Sequence, residues 1–152
     1  MTLTYLRPDQ YRYPGRRSDV FARNIVATSQ PLAVEAGLDM LRDGGNAIDA
    51  AIAAAICLAV VEPTGNGVGS DAFAIVHHDG ELAGFNGSGK SPATWSRERF
   101  AGHDAMPAVG WEAVTVPGAV DTWVQLSRRY GRIPFAELFQ PAINYARSGF
   151  AV

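Results

Sequence analysis

The sequence is poor in the residues that most often announce a function. It has one cysteine, Cys57, so no disulfide can form within the chain, and no Cys/His spacing points to zinc or another metal. It has one lysine, Lys90, against twelve arginines. Those arginines are scattered, with pairs only at Arg16-Arg17 and Arg128-Arg129, and the net charge is −2. No basic patch is present to follow a phosphate backbone, so no nucleic-acid partner is expected. The most apolar stretch, residues 47–61, falls short of the roughly 20 residues that span a bilayer, so no membrane partner is expected either. Ser18-Asp19 follow Arg16-Arg17 where a signal sequence needs an apolar run, so a cytoplasmic location is the expectation. Only 18% of residues are charged and 47% are hydrophobic, which excludes a disordered chain and suits a globular one.

What is present reads as alternating helices and strands. Residues 1–23 form an extended lead-in, and the folded part runs over 24–152. "NIVATS" (24–29) predicts a short strand. Ser29 can cap the helix that follows, with Pro31 in its first turn, Leu32, Ala36 and Met40 along one stripe, and Gly44-Gly45 at its end. Asn46 is a good N-cap for a second helix, and Asp49 three residues on can complete a capping-box-like pair. The stretch "AAIAAAICLAVV" is apolar on every face, which predicts a helix buried all round, and Cys57 within it reads as a buried, inert thiol. Asp79-Gly80 between "AFAIVHH" and "ELAGFN" predicts a hairpin. "SPATWSRERFAG" reads as a short helix or turn. "GWEAVTVPG" (110–118) reads as a strand, "AVDTWVQLSRRYG" as an amphipathic helix, and 134–149 as a helix that Pro141 kinks or divides. The order predicts an α+β fold with an antiparallel strand pair.

One stretch resembles a nucleotide site. In "GFNGSGKSP", Gly84, Gly89, Lys90 and Ser91 satisfy the phosphate-loop pattern, whose backbone N–H groups cradle phosphates while the lysine reaches the charge. The context argues against it. The preceding strand is the return arm of a hairpin, and Pro92 disfavours the helical conformation Ser91 would need. No acidic partner for magnesium follows. "GNGVGSDA" contains a Gly-x-Gly-x-x-Ala match at Gly67, Gly69 and Ala72, but it runs helix–loop–strand and not strand–loop–helix. His77 and His78 are neighbours on a strand and point to opposite faces, so they read as a hairpin end.

Two blocks carry a resemblance. "VATSQPLAVEAGLDMLRDGGNAIDAAIAAAICLAVVEPTGNGVG" resembles the start of the large subunit of the gamma-glutamyltransferase family. "VTVPGAVDTWVQLSRRYGRIPFAELFQPAINYARSGFAV" resembles a later block of the same family. The resemblance covers about residues 24 to 152. It implies the αββα sandwich of an N-terminal-nucleophile hydrolase, of which this chain is an N-terminal fragment. It also implies self-cleavage into two subunits, with a threonine at the new N-terminus of the small subunit as nucleophile and its own α-amine as base. No catalytic residue of that kind falls in this chain, and no cofactor is implied. The implied partners are the remainder of the large subunit, the small subunit and a small-molecule amide substrate.

The departure from the family pattern lies in the same glycine-rich stretch. Members of the family place an arginine there for the α-carboxylate of a glutamyl substrate, as its planar fork suits. Phe85 and Pro92 match the ends of that segment, but its arginine position falls among Asn86, Gly87 and Ser88, and none of these is arginine. Lys90 is the only cation nearby. Lys90, Asn86 and Ser88 are therefore the candidate substrate-binding residues. If Lys90 does not replace the arginine, a cephalosporin acylase-like amidase of the same family becomes the alternative. A nucleotide-binding domain using Gly84 to Ser91 is the other.

Overall fold

The computed structural model describes residues 20–151. Four α-helices and one hairpin make up the regular structure: α1 Pro31–Arg42, α2 Ala47–Val61, β1 Ala72–His78, β2 Glu81–Gly87, α3 Ala119–Tyr130 and α4 Gln140–Ser148, with short 3-10 helices at Glu98–Phe100, Trp111–Ala113 and Phe135–Phe139.

Helix α2 is the centre. Its side chains Ile52, Ile56 and Cys57 are almost fully buried and meet Ala33, Ala36 and Met40 of α1 on one side. Small residues let the two helices come close. A Cβ on Gly37 would sit 3.0 Å from the carbonyl of Ala50 and 2.9 Å from a methyl of Val26. Helix α3, the 3-10 helix Phe135–Phe139 and α4 close the other side of α2 through Trp123, Leu126, Leu138 and Ala142. Each fully buried large aliphatic side chain here contributes about 2 kcal/mol. The expectation of a stretch buried all round holds only in part: Ala51 is exposed, and Ala55, Leu58, Ala59 and Val60 are half-buried.

The N-terminus of α2 is tied to a distant part of the chain. Asn46 accepts the N–H groups of Ile48 and Asp49 on its side-chain oxygen, and Asp49 returns the favour to the Asn46 N–H at 2.9 Å. This is the anticipated capping box. Asp49 does more than cap, however. It is 0% exposed and also accepts from the N–H groups of Arg132, at 3.0 Å, and Ile133. Asn46 donates its amide to the carbonyl of Tyr130 at 2.6 Å. The start of α2 and the connection between α3 and α4 are therefore one hydrogen-bonded unit.

The hairpin forms where Asp79 (φ 51°) and Gly80 (φ 80°) both take the left-handed conformation that a two-residue turn requires. Its register pairs Ala72 with Gly87, Phe73 with Asn86 and Ile75 with Gly84. Ala74, Val76, Ala83 and Phe85 face the helices. Phe73, Ile75 and Leu82 face outward and are 65%, 80% and 73% exposed. The sheet thus has one covered face and one bare apolar face.

Several expectations need correction. Residues 24–29 are extended but form no strand: among the described residues they have no ladder partner, and Val26 instead packs on Gly37. Residues 110–118 are not a strand either. They begin with a 3-10 turn at Trp111–Ala113, and their backbone bonds to other segments are isolated and form no ladder: the Val116 N–H donates to the Lys90 carbonyl and the Gly118 N–H to the Ser70 carbonyl. The cap of α1 is Gln30, not Ser29, because the Ser29 hydroxyl is committed to the Glu62 carboxylate. The last helical stretch is divided as expected, but the break falls just before Pro141, which lies in the first turn of α4: a 3-10 helix ends at Phe139 and α4 begins at Gln140.

Replacing Asp49 by Ala should destabilise the fold by on the order of 3 kcal/mol, because three backbone donors lose one shared acceptor. Asn46→Ala should cost about 1 kcal/mol as a lost cap. Urea unfolding midpoints measure both, and equal small shifts for the two variants would contradict the linking role of Asp49.

Candidate functional site

The last residues of β2 and the loop after it form one wall of an open cleft of about 520 Å³. Asn86, Ser88 and Lys90 stand on this wall. Pro117 and Asp121, at the entry to α3, stand on the other. The structure therefore brings together the three residues expected from sequence and adds a second wall, formed where the 110–118 segment enters α3.

Backbone contact between the two walls is unusually close. A Cβ on Gly87 would lie 1.9 Å from the Thr122 hydroxyl, and a Cβ on Gly118 would lie 2.2 Å from the Gly87 carbonyl. Gly89 has a φ of +80°, and a Cβ there would lie 1.9 Å from the Val116 carbonyl. Only glycine fits at these three points. The loop is further held by the Asn86 side-chain oxygen, which accepts from the Ser88 N–H at 3.0 Å. Across the cleft floor, the Thr115 hydroxyl donates to the Ser88 carbonyl at 3.0 Å and the Val116 N–H donates to the Lys90 carbonyl at 2.9 Å.

Charge in the cleft is sparse. The Lys90 side chain is exposed and makes no ion pair among the described residues. Asp121 lies in the first turn of α3, where a negative charge is favoured by the helix dipole, and accepts from the Gln125 amide at 2.6 Å. A cation held in place by its backbone and left without a protein partner is suited to binding an anionic group of a ligand.

This geometry replaces the phosphate-loop reading. Gly84 lies within β2, on its outward face, with open space around it. No helix begins at Lys90 or Ser91, and the next helical turn is the 3-10 helix at Glu98–Phe100. A phosphate loop needs its lysine at the mouth of a helix. Of the two motif glycines only Gly89 is sterically required, and it answers to packing against Val116. The second glycine stretch is also structural. Its Ser70 carbonyl accepts from the N–H groups of Gly118 and Ala119 and so completes the N-terminus of α3.

The other candidate groups are settled by their surroundings. His78 packs edge-on against Tyr130 with ring centroids 5.4 Å apart, while His77 lies on the outward face of β1, so the two rings do not converge. Cys57 is fully buried beneath α1, its thiol 3.8 Å from the Leu32 carbonyl, and burial pushes its pKa up. A buried, protonated thiol is a poor nucleophile.

Comparison with known proteins supplies what the cleft alone does not. Residues 33–152 match the family model described as gamma-glutamyltranspeptidase. The glutathione hydrolase-like YwrD proenzyme of Bacillus subtilis is 40% identical over 139 residues, which is 90% of this chain and 26% of that protein. The crystal structure of cephalosporin acylase from Bacillus halodurans is similar with a TM-score of 0.84 at 50% identity, over 98% of this chain and 28% of that one. Helicobacter pylori gamma-glutamyltranspeptidase is similar with a TM-score of 0.79 at 32% identity, over 90% and 41% of the two chains. The chain spans about a quarter of the length of the curated relatives it matches.

The two readings of the glycines give opposite expectations. Gly87→Ala and Gly89→Ala should each cost about 2 kcal/mol or more through overpacking, whereas Gly84→Ala should change stability by less than about 0.5 kcal/mol. Thermal unfolding of the three variants decides between them. In native protein near neutral pH, Cys57 should resist alkylation by iodoacetamide and react only once the chain is unfolded, as intact mass before and after denaturation would show.

Proposed function

The chain belongs to the gamma-glutamyltranspeptidase family, and on that premise we propose that it is the N-terminal part of an amidohydrolase that transfers or hydrolyses a gamma-glutamyl or similar acyl group. The fold is that of the N-terminal-nucleophile hydrolases its structural neighbours represent. In the proposed reaction, a threonine freed by self-cleavage at the start of a small subunit attacks the carbonyl carbon of the acyl amide. The amine leaves with a proton, and the acyl group stays on the threonine oxygen as an ester. Water or a second amine then takes the acyl group and returns the proton to the threonine. The partners of this chain in that assembly are the rest of the large subunit and the small subunit.

Within that reaction this chain supplies a binding wall. Lys90, standing in the cleft with no ion-pair partner among the described residues, is the observation that carries the assignment. Its ammonium would hold an anionic group on the acyl moiety, as a point charge in place of the arginine the family resemblance implies. The Asn86 amide nitrogen and the Ser88 hydroxyl make no hydrogen bond among the described residues and would add neutral donors on the same wall. The missing arginine, with 50% identity to a structure described as a cephalosporin acylase, favours a second reading, in which the acyl group is not gamma-glutamyl.

In the whole protein that carries this chain, Lys90→Ala should raise KM for an acyl donor with a free carboxylate by about tenfold or more, since hydrogen bonds to charged groups are the strong ones. Steady-state kinetics measures this. An unchanged KM would remove Lys90 from the substrate site. The kcat/KM ratio for gamma-glutamyl against other acyl amides separates the two readings. A mass spectrum showing no cleavage before a threonine would contradict the reaction class.

A further inference from the structure

Lys90 can act as a binding group only if its loop is held at a fixed place, and the loop's own side chains do not achieve this. Asn86 shapes the turn internally by accepting from the Ser88 N–H. Gly87 and Gly89 carry no side chain. The loop is instead held from across the cleft at two points, both provided by adjacent residues of the 110–118 segment. The Val116 N–H holds the Lys90 carbonyl at 2.9 Å, and the Thr115 hydroxyl holds the Ser88 carbonyl at 3.0 Å. We infer that Thr115 is a positioning residue for substrate recognition, fixing the Ser88–Lys90 loop so that the Lys90 ammonium faces the cleft. The inference rests on the assignment of Lys90 to the substrate anion.

The two anchors differ in kind. Val116 uses its backbone, so no side-chain change there removes the bond. Thr115 uses its hydroxyl, so its identity sets whether the second anchor exists. With the hydroxyl gone, the loop is pinned by one hydrogen bond and can turn about the Lys90 carbonyl. Gly89, at positive φ and without a side chain of its own, is the residue about which such a turn can occur. The Ser88 carbonyl is near the surface, and Ser88 and Thr115 are both exposed, so water can replace the lost donor. The loss is then in placement and not in folding.

The test uses the whole, self-processed protein and four variants: Thr115→Val, Thr115→Ser, Lys90→Ala and the Thr115→Val/Lys90→Ala double variant. Thr115→Val should raise KM for carboxylate-bearing acyl donors by about three- to tenfold, the worth of one neutral hydrogen bond, with kcat within about twofold. For an acyl donor of similar size without the carboxylate, its KM should hardly move. Thr115→Ser, which keeps the hydroxyl, should behave as the parent. In the Lys90→Ala background Thr115→Val should add nothing, because both act through one ammonium. An unchanged KM for Thr115→Val while Lys90→Ala raises it would overturn the positioning role alone. Additive effects of the two substitutions, or an equal loss for neutral donors, would also overturn it. An unchanged KM for Lys90→Ala would overturn the assignment of Lys90 and this inference with it.

Discussion

The carboxylate of Asp49 holds together parts of the chain that the sequence separates by more than eighty residues. It is buried, and it spends its acceptor capacity on backbone N–H groups of Asn46, Arg132 and Ile133. Removing it would leave those donors facing a space that no other acceptor fills. Because Asp49 sits in the first turn of α2, this interaction fixes the central helix against the junction of α3 and α4. The inner face of the hairpin then rests on α3, and the glycine-rich end of β2 meets the first turn of α3. The cleft is built at that last contact. Its geometry therefore depends on a buried carboxylate that itself touches nothing in the cleft.

The parts legible in the sequence are those whose chemistry is local. Asn46 and Asp49 announce a helix start within four residues. Asp79-Gly80 fixes a hairpin within two, and Pro141, which a helix interior would not accept, marks the first turn of α4. Extended segments are different. A run of β-branched residues becomes a strand only when another chain segment offers its ladder, and neither 24–29 nor 110–118 has one among the described residues. The same limit hid the second wall of the cleft. Thr115, Val116 and Asp121 face Lys90 only because Gly118 and Gly87 permit backbone contact, and no spacing along the chain encodes that meeting.

The phosphate-loop pattern shows how a motif can be genuine as a string and empty as chemistry. Gly84 and Gly89 satisfy the spacing, yet one faces open space from the middle of a strand and the other is forced by the Val116 carbonyl. Gly87, outside the pattern's fixed positions, is as sterically demanded as Gly89. Gly87 and Gly89 serve close packing, and that packing leaves Lys90 accessible at a cleft with no ion-pair partner among the described residues. In the function proposed for this member of the gamma-glutamyltranspeptidase family, such a cation would serve as the counter-charge for an anionic group on the acyl donor, away from the bond being broken.

The account is tested most directly by a crystal structure of the whole protein trapped as its acyl-enzyme with a carboxylate-bearing acyl group. The Lys90 Nζ should then lie about 2.7–2.9 Å from a carboxylate oxygen, with the Thr115 hydroxyl still on the Ser88 carbonyl. A carboxylate bound elsewhere, with the Lys90 side chain left in solvent, would contradict it.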